Sequence, residues 1–508
     1  MPLASSFWVD EMATRFVVTH GESDPSLRIA PQVASVYYTL PKTAASALSF
    51  SQEVTYRIPS VLAMIAALFL IGRLAARLVH PSAAWFAIFV CLTLKGINYE
   101  AADARPYALG TLALTASLLF LVRWFDFAEW YDGILFVLSA ALVWRVHLIF
   151  WPVYLVFAAY AIYRLRNGKT AADWINTGVL FALVGFSLIP VLLDARALMR
   201  EAADHVVAPK PSLTDLSSSL KTAFLASIFT GITLLSRWRR WPRVAGVGGG
   251  AVLLAAGWWL CQPLGLYAFS WISGNSAFVP RYLFLSLPGV ALMATVIVAL
   301  YLPAKLWKQA SLMTGLAALV FMGQWNRLWP AHHNSDWRAA AAAVNALATG
   351  PDVPVICPSA FIEARTPVWR PDYPVNSFLY SHLLAYGIHG SVHPFPYDDS
   401  PEAQTAAVAV ANRTLVKARR FVIYGSERSA KFWRNWFRAR PELAGWRDRS
   451  VGPFGDVDVV LFEAGPLATS PLRVAEAPAP SREVGNAQGR RSASSDSTPS
   501  TLSASTEH

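Results

Sequence analysis

Apolar residues form long segments through the first two thirds of the chain, and polar positions gather between them. Runs of about 17 to 23 residues recur between Ile58 and Trp325, the length at which a helix crosses the apolar core of a bilayer. Between the fourth and fifth runs, the segment VWRVHLIFWPVYLVF allows either a tight turn or one long bent helix. The pattern predicts about ten membrane-spanning helices, near 58–79, 83–98, 107–124, 131–148, 150–165, 176–193, 220–236, 244–261, 281–302 and 309–326.

The pattern after Trp325 is that of a small soluble domain. SDWRAAAAAVNALATG predicts an amphipathic helix that begins near Asp336 and ends before Gly350. VPVIC, RFVIYGS and VDVVLFEA predict short buried strands, with helices near 401–418 and 428–440. From about Gly465 the chain is rich in Ser, Pro and Ala, which predicts a disordered tail because such a segment buries too little apolar surface to fold.

These patterns together predict a polytopic α-helical membrane protein with a small α/β domain outside the cytoplasm. The expected organisation is a first extracytoplasmic loop over 1–56, a transmembrane helical domain over 57–328, the α/β domain over 329–464, and the tail over 465–508. The composition agrees with this class. Of the 508 residues, 55% are hydrophobic and 15% charged, and the mean hydropathy is +0.38.

The charge distribution predicts which side of the membrane each loop faces. Lys and Arg accumulate in every second loop, as cytoplasmic loops do in membrane proteins. This bias also explains the net charge of +11 without a nucleic-acid partner. The loops expected inside carry Arg73, Arg77, Arg123, Arg164, Arg166, Lys169, Arg237, Arg239, Arg240, Arg243, Lys305 and Lys308.

This orientation puts residues 1–56 outside the cytoplasm, although neither a membrane span nor a signal peptide precedes them in the sequence. Two explanations are open: the N-terminus is translocated without a signal, or the printed sequence starts downstream of a first helix. We favour the second.

Two polar loops on the predicted outer side carry the candidate chemistry. Asp10 and Glu11 stand between aromatic residues in SFWVDEMATRF, and GINYEAADARPYALG packs Glu100, Asp103 and Arg105 between two spans. Loops on the same side can converge, so we expect one site there. No Walker loop and no zinc-ligand spacing occurs in the sequence, and the three cysteines show no disulfide framework.

Three sequence segments resemble the membrane-embedded C-type (GT-C) glycosyltransferases, most closely the protein O-mannosyltransferase and aminoarabinose transferase group and allied bacterial sugar transferases. They are FWVDEMATRF, YRIPSVLAMIAALFLIGRLAARL and YEAADARPYALGTLALTASLLFLV, which cover about the first 125 residues. FVPRYLFLSLPG and SDWRAAAAAV add weaker similarity. The resemblance implies a sugar donor linked to a polyprenyl phosphate. It also implies that Asp10 is the catalytic base with Glu11 beside it, and that Asp103, Arg105 and Tyr107 form the acid-x-Arg-x-Tyr pattern of the second loop. On this pattern we assign Asp103 to the catalytic residues, and Arg105 and Tyr107 to binding of the donor phosphate.

Chemical reasoning independently supports a single base. A glycosyl phosphate already has a stable anionic leaving group, so it needs no strong general acid, unlike the substrate of a two-carboxylate glycosidase. A base beside the acceptor hydroxyl and opposite the phosphate gives inversion by single displacement. The leaving phosphate needs cationic donors; the candidates are Arg105, Arg281 and Arg57, and His147 near the outer surface is a further candidate for a donor or acceptor contact.

Each candidate residue also has a purely structural interpretation. Asp10 would be a solvated loop acid, and Asp103 with Arg105 an ion pair at a helix end. Arg281 and Arg57 would be interfacial anchors, and His147 a packing residue.

Several functional alternatives also stay open at this stage. No cofactor is predicted with certainty, but a divalent cation on Asp103 with Glu100 or Glu11 is possible. The acceptor is a lipid, a glycan or a protein. A transporter or lipid flippase and a non-catalytic assembly protein are the alternative functions, and the expected location is the cytoplasmic (inner) membrane with the site facing the periplasm.

Overall fold

The computed structural model describes residues 3–29, 35–168, 170–201, 209–242, 246–321, 335–397 and 400–465. All of these residues belong to one compact unit. The predicted disordered tail lies outside the described residues.

Long helices form the first two thirds of the described chain. The mostly buried helices α6 (Tyr107–Phe127) and α14 (Leu287–Ala299) lie at the centre of the bundle. Gly289 of α14 lies so close to α12 (Gly249–Ser273) that a Cβ there would come within 2.4 Å of the Trp259 amide nitrogen. The helices are α1 (Val9–His20), α2 (Thr39–Ala47), α3 (Gln52–Leu78), α4 (Ala84–Thr93), α5 (Lys95–Glu100), α6 (Tyr107–Phe127), α7 (Trp130–Val146), α8 (Val153–Arg166), α9 (Trp174–Glu201), α10 (Leu213–Ser219), α11 (Thr222–Trp238), α12 (Gly249–Ser273), α13 (Pro280–Leu283), α14 (Leu287–Ala299) and α15 (Trp307–Phe321).

Within the described residues every predicted span contains helix, but several spans are interrupted and not every helix is long enough to cross a bilayer. In the described part of the chain, six segments have the length and hydropathy of a span, and α10 with α11, bent by 48°, makes a seventh if counted as one. The predicted span 83–98 is not a continuous helix, because the backbone turns extended at Leu94 and α5 starts afresh at Lys95. Between α7 and α8 the chain makes a tight turn, with His147 extended and a short 3-10 helix over Leu148–Phe150.

The described part of the segment predicted as a first outer loop contains the helices α1 and α2 and the first turn of α3. In α1, the apolar residues Met12, Phe16 and Val17 are buried against the α/β domain, and Phe16 packs edge-on against Phe378 at 5.8 Å. The sequence pattern of 1–56 gave no separate prediction for this helix, whose burial depends on a partner more than 300 residues away.

The α/β domain forms a five-stranded sheet in the order β2-β1-β3-β5-β4. The strands β1, β2 and β3 are parallel, and β4 and β5 run antiparallel at the other edge. The sequence predicted β1, β3 and β5, whose residues are mostly buried, but not β2 and β4, which are more exposed edge strands. The strands are β1 (Pro354–Pro358), β2 (Ser391–Phe395), β3 (Arg420–Ser426), β4 (Trp446–Val451) and β5 (Val457–Ala464).

Helices accompany this sheet, and the sequence pattern predicted all of them except the second, α17 (Ser381–Ala385). Asp336 caps the first of them, accepting a hydrogen bond from the Ala339 amide at 3.0 Å. The helices are α16 (Trp337–Leu347), α17 (Ser381–Ala385), α18 (Pro401–Val410), α19 (Val416–Ala418) and α20 (Glu427–Arg438), with a π-helical turn over Ala411–Leu415 between α18 and α19.

Candidate functional site

The helix α1 presents Asp10 to a cavity. Asp10, Ala13 and Val17 follow one another at helical spacing and line the same cavity. Met12 and Phe16 of the same helix pack with the α/β domain. Asp10 stands in the first turn of the helix, where the exposed amide groups of the helix N-terminus favour a negative charge. The acidic residue is therefore held at a fixed place on a rigid element.

Two arginines flank the Asp10 carboxylate. Arg281 Nη1 lies 3.3 Å and Arg105 Nη2 lies 3.8 Å from Asp10 Oδ2. Arg105 Nη1 also donates a hydrogen bond to the Asp10 backbone carbonyl at 3.2 Å. Since Arg105 precedes α6 and Arg281 lies in α13, three distant parts of the chain meet at this point.

The cavity around this carboxylate has a volume of about 180 Å³. Four predicted site residues line it: Asp10, Arg105, His147 and Arg281. The sequence analysis did not predict the other polar and aromatic lining residues. One of them, Tyr38, lies in the segment YYTLP (37–41), whose paired tyrosines next to a predicted outer loop could have indicated it. The residues missed are Ser35, Tyr38, Tyr282, Phe361, Glu363 and Phe378, of which the last three come from the α/β domain.

His147 contributes a neutral ring to the cavity. Its Nδ1 accepts a hydrogen bond from the Ile149 amide at 3.3 Å, and its ring packs against Tyr282 at 5.5 Å between centroids. Burial, reinforced by the positive charges of Arg105 and Arg281, lowers the pKa of His147 to about 3. A neutral ring whose Nδ1 accepts carries its proton on Nε2, which is then a hydrogen-bond donor.

Tyr107, predicted to bind the donor phosphate, lies behind His147. Its ring is stacked on that of His147 at 6.1 Å, and the side chain is fully buried. It is absent from the lining of this cavity, so it supports the site from behind the His147 ring.

Glu11 and Arg57 form a buried pair beside the cavity. Both side chains are fully buried, with Arg57 Nη2 at 2.5 Å and Nε at 2.8 Å from the two carboxylate oxygens. Arg57 also donates to the carbonyls of Leu3, Ser5 and Ser6. Glu11 additionally accepts from the Ala104 amide at 2.9 Å, which ties α1 to the second polar loop. The structure thus separates the two neighbouring acids, since Asp10 lines the cavity and Glu11 does not.

Glu100 and Asp103 form a second carboxyl pair, which is hydrogen bonded. Burial and the neighbouring carboxyl group of Asp103 raise the pKa of Glu100. No group of three possible metal-binding side chains occurs among the described residues, so this pair has no third protein ligand there.

A larger cavity of about 800 Å³ lies on the other side of α13. Arg281 and Tyr282 of that turn line the small cavity, while Pro280 and Leu283 line the large one. The large cavity has apolar walls with two lysines and two acids among them. Its lining comprises Lys95, Gly96, Glu100, Pro209, Pro211, Asp215, Ser218, Ser219, Lys221, Phe278, Val279, Pro280, Leu283, Phe284 and Leu287.

Comparison with known proteins identifies the fold. Neither a family model nor a curated protein sequence matches the chain. Among solved structures, ArnT from Cupriavidus metallidurans in the apo state is similar, with a TM-score of 0.51, 11% identity, and coverage of 91% of this chain and 95% of that one.

Two further solved structures resemble the chain less closely. The same ArnT bound to undecaprenyl phosphate gives a TM-score of 0.48 at 10% identity, covering 85% of this chain and 88% of that one. Arabinosyltransferase EmbB from Mycobacterium smegmatis gives 0.32 at 16% identity, covering 57% and 29%. The likeness to apo ArnT shows that this chain shares the fold of that structure, in agreement with the sequence resemblance to the aminoarabinose transferase group.

Proposed function

We propose that this protein transfers a sugar from a polyprenyl-phosphate donor to an acceptor hydroxyl, by a single displacement that inverts the anomeric carbon. One observation carries the proposal: the Asp10 carboxylate lies 3.3 Å from Arg281 in a small cavity that Arg105 also lines. A base and two cations that line one cavity suit this reaction, since a proton leaves the acceptor as a phosphate departs from the sugar.

The two arginines are the phosphate-binding groups in this mechanism. Their guanidinium groups suit phosphate oxygens because each offers several N–H donors in a plane. When a phosphate binds, it competes with Asp10 for these donors and releases the carboxylate for the acceptor hydroxyl. As the sugar–phosphate bond breaks, charge grows on the phosphate, and the fixed cations stabilise it most in the transition state.

Asp10 takes the proton of the acceptor hydroxyl in the same step. The hydroxyl oxygen forms its bond to the anomeric carbon as the bond to the phosphate oxygen breaks, and the lipid phosphate leaves with the electron pair. His147 would donate its Nε2 proton in a hydrogen bond to the phosphate or to a sugar hydroxyl. Because its pKa is lowered to about 3, the ring stays neutral and is a donor rather than an acid in this mechanism.

The larger cavity is the proposed location of the lipid chain. It is apolar over most of its wall and adjoins the small cavity across α13, so a phosphate on Arg281 could be followed by isoprene units on the far side of that turn. ArnT, whose apo structure shares this fold, has also been solved with undecaprenyl phosphate. We extend a polyprenyl phosphate to this chain as part of the proposal.

Other predicted site residues take supporting positions in this mechanism. Glu11 and Arg57 would hold α1 in place, and Tyr107 would support the His147 ring. Asp103, in a hydrogen-bonded pair with Glu100, would help to fix the second polar loop. If a divalent cation takes part, Glu100 and Asp103 would hold it, with the donor phosphate completing the coordination.

The proposed reaction takes place on the outer face of the cytoplasmic membrane. Loops that the charge pattern predicts to be cytoplasmic meet at the end of the bundle away from Asp10, where Arg77 and Arg164 each lie 2.7 Å from Asp126. Their convergence supports a common side for those loops and the opposite side for the site.

Donor turnover by the purified protein tests this function. Wild type and Asp10→Asn would be supplied with a panel of polyprenyl-phosphate sugars, hexosyl and pentosyl, together with lipid, glycan and protein acceptors that offer free hydroxyl groups, and release of polyprenyl phosphate measured. We expect release by wild type, and a loss of about 10²- to 10⁴-fold in the variant with donor binding retained. Equal release by both proteins would remove Asp10 from the mechanism, and lipid movement in sealed vesicles without sugar transfer would indicate a carrier.

A further inference from the structure

We infer that Gln262 is a positioning residue, which holds the turn that carries His147 and the turn that carries Arg281 at a fixed separation. This inference rests on the proposed function, because these two turns supply groups that would contact the donor phosphate. Gln262 belongs to α12, is fully buried, and does not line the cavity around Asp10. It would therefore act through its neighbours rather than on the substrate itself.

The side-chain amide of Gln262 joins the two turns directly. Its Nε2 donates one hydrogen bond to the Ile149 carbonyl at 3.0 Å and another to the Tyr282 carbonyl at 3.1 Å. Because both acceptors are carbonyls, the amide must present its NH2 group to them, which fixes the orientation of the side chain. Its Oε1 is buried and has no hydrogen-bond partner among the described residues. The link between the turns thus consists of the two N–H groups of a single side chain.

Ile149 connects this amide to the ring of His147. The Ile149 N–H donates to His147 Nδ1 at 3.3 Å, while the carbonyl of the same residue accepts from Gln262. Since both groups belong to one residue of a short 3-10 turn, a shift of the carbonyl also shifts the N–H that contacts the ring. Gln262 therefore helps to hold the hydrogen bond that sets which ring nitrogen of His147 is the donor.

Tyr282 connects the same amide to Arg281. The two residues are adjacent in α13, a helix of only four residues, so the Tyr282 carbonyl and the Arg281 side chain move together. A second bond from α12 holds the segment that follows, because Trp258 Nε1, one helical turn before Gln262, donates to the Leu285 carbonyl at 2.7 Å. Two bonds from one helix leave α13 little freedom to rotate.

Close packing of α12 on two neighbouring helices makes it a rigid support for this side chain. A Cβ on Gly265 would come within 2.8 Å of the Pro152 side chain at the start of α8, and Gly289 of α14 lies even closer to the α12 backbone. Such contacts leave no room for one helix to shift against another without a clash. The Gln262 amide therefore starts from a fixed backbone when it holds the two turns.

The separation of the two turns matters because a phosphate must meet both of them at once. Hydrogen bonds weaken steeply when donor and acceptor are displaced, and a misplacement of about 1 Å can lower a rate about a hundredfold. Gln262 would control the relative position of Arg281 and His147, and the charge of neither. Loss of its two donors should weaken phosphate binding and lower kcat without removing any group that contacts the substrate.

The test is a double-mutant cycle on binding of polyprenyl phosphate to the full-length protein, with donor turnover measured in parallel. Gln262→Met keeps a long unbranched side chain without the two donors, and Gln262→Asn keeps an amide that is one methylene shorter. We expect each to weaken polyprenyl-phosphate binding and lower kcat by about three- to thirtyfold. In an Arg281→Lys background the same substitutions should weaken binding by a factor at least about threefold smaller, because Gln262 acts through Arg281.

Thr177→Val is the matched control. It also removes a buried hydrogen-bond partner, that of Trp124 Nε1 at 3.2 Å, but near the end of α6 that lies away from the cavity. This variant should lower the midpoint of thermal unfolding as the Gln262 variants do, and leave polyprenyl-phosphate binding and kcat at the values of wild type.

The possible results separate this inference from the proposed function. Binding and kcat equal to wild type in both Gln262 variants would overturn the inference and leave the transferase function standing. Fully additive effects with Arg281→Lys, or an equal loss in Thr177→Val, would show that Gln262 only stabilises the fold. If Gln262→Met does not fold, Gln262→Asn decides between these results.

Two further results concern the function itself. Coupling between Gln262 and Arg281 in polyprenyl-phosphate binding, without turnover of any donor, would support the positioning role and contradict the transferase function. If wild type does not bind polyprenyl phosphate, both the positioning role and the function are overturned.

Discussion

The hydroxyl group of Tyr386 donates a hydrogen bond to the carboxylate of Glu53 at 2.9 Å, across 333 residues of sequence. The same hydroxyl accepts a hydrogen bond from the Phe7 amide at 2.8 Å, and Arg338 Nη2 lies 2.9 Å from the same Glu53 oxygen. The α/β domain, the start of α3 and the segment that leads into α1 are thereby joined around one buried carboxylate. The position of Asp10 thus depends on contacts made by a domain that follows the membrane helices in sequence.

Removing the Tyr386 hydroxyl should loosen this junction. In Tyr386→Phe the Phe7 amide and the Glu53 carboxylate both lose a buried partner, which typically costs about 1–3 kcal/mol for each group left unsatisfied. We expect a lower free energy of unfolding and a reduced kcat for donor turnover, with little change in KM for the donor. Thermal unfolding and steady-state kinetics measure the two effects, and the exposed Tyr131→Phe serves as control. Unchanged stability and kcat would show that the junction does not position α1.

Asp10 and Glu11 are neighbours in sequence, yet substituting Glu11 should lower the stability of the protein, whereas substituting Asp10 should lower its turnover of the donor. Glu11→Gln leaves Arg57 as a fully buried charge without its carboxylate, a change that costs about 3–5 kcal/mol when one partner of a buried pair is removed. Asp10→Asn removes a partly exposed carboxylate and should leave stability nearly unchanged while turnover is lost. Denaturant unfolding and donor turnover of both variants, beside the exposed control Glu22→Gln, measure this separation. If Glu11→Gln were stable and inactive, Glu11 would belong to the catalytic machinery.

Arg281 should be sensitive even to a conservative change. Lysine keeps the positive charge but loses the planar set of N–H donors that binds two phosphate oxygens at once. We expect Arg281→Lys to raise the donor KM or lower kcat by about tenfold, equivalent to about 1.4 kcal/mol. Inhibition by free polyprenyl phosphate should weaken in parallel, because the product offers the same group. Arg239→Lys, on an exposed loop residue, should behave as wild type, and an unaffected Arg281→Lys would exclude Arg281 from phosphate binding.

The sequence allowed the fold class and much of the secondary structure to be predicted, because these depend on local patterns. Long apolar runs specify helices whatever their neighbours, and the buried strands β1 and β3 are continuous apolar segments. The errors occurred where tertiary contacts decide the structure. The pattern over 83–98 could not show the break at Leu94, and the exposed β4 edge strand has no apolar run at all.

The candidate site was predictable only in part for the same reason. Asp10, Arg105 and Arg281 belong to polar segments next to apolar runs, so their common side of the membrane could be inferred. The pattern could not separate Asp10 from Glu11, since the difference arises from Arg57, which pairs with one of them alone. Glu363 follows β1 of a domain that looked catalytically plain in sequence, and only the packing of that domain on α1 brings it to the cavity.

The stability of the protein should fall between pH 7 and pH 5 because of His382. This residue is buried in the α/β domain among Trp337, Tyr380 and Tyr424, and neither ring nitrogen has a hydrogen-bond partner among the described residues. Burial lowers the pKa of His382 to about 3. In the unfolded chain the group titrates near its ordinary value of about 6.5, so below that pH the unfolded state binds more protons and is favoured.

The expected loss is roughly 2 kcal/mol at pH 5 relative to pH 7 for this histidine, since each unit between the two pKa values is worth about 1.4 kcal/mol. His382→Phe keeps an aromatic ring between the same neighbours but removes the titrating group, and should therefore flatten the pH dependence by that amount. His389→Phe, a substitution at an exposed histidine, is the control. Denaturant unfolding at both pH values measures the difference. If wild type and His382→Phe lose equal stability on acidification, His382 is protonated in the folded protein or its burial is relieved by bound water, and the acid sensitivity arises elsewhere.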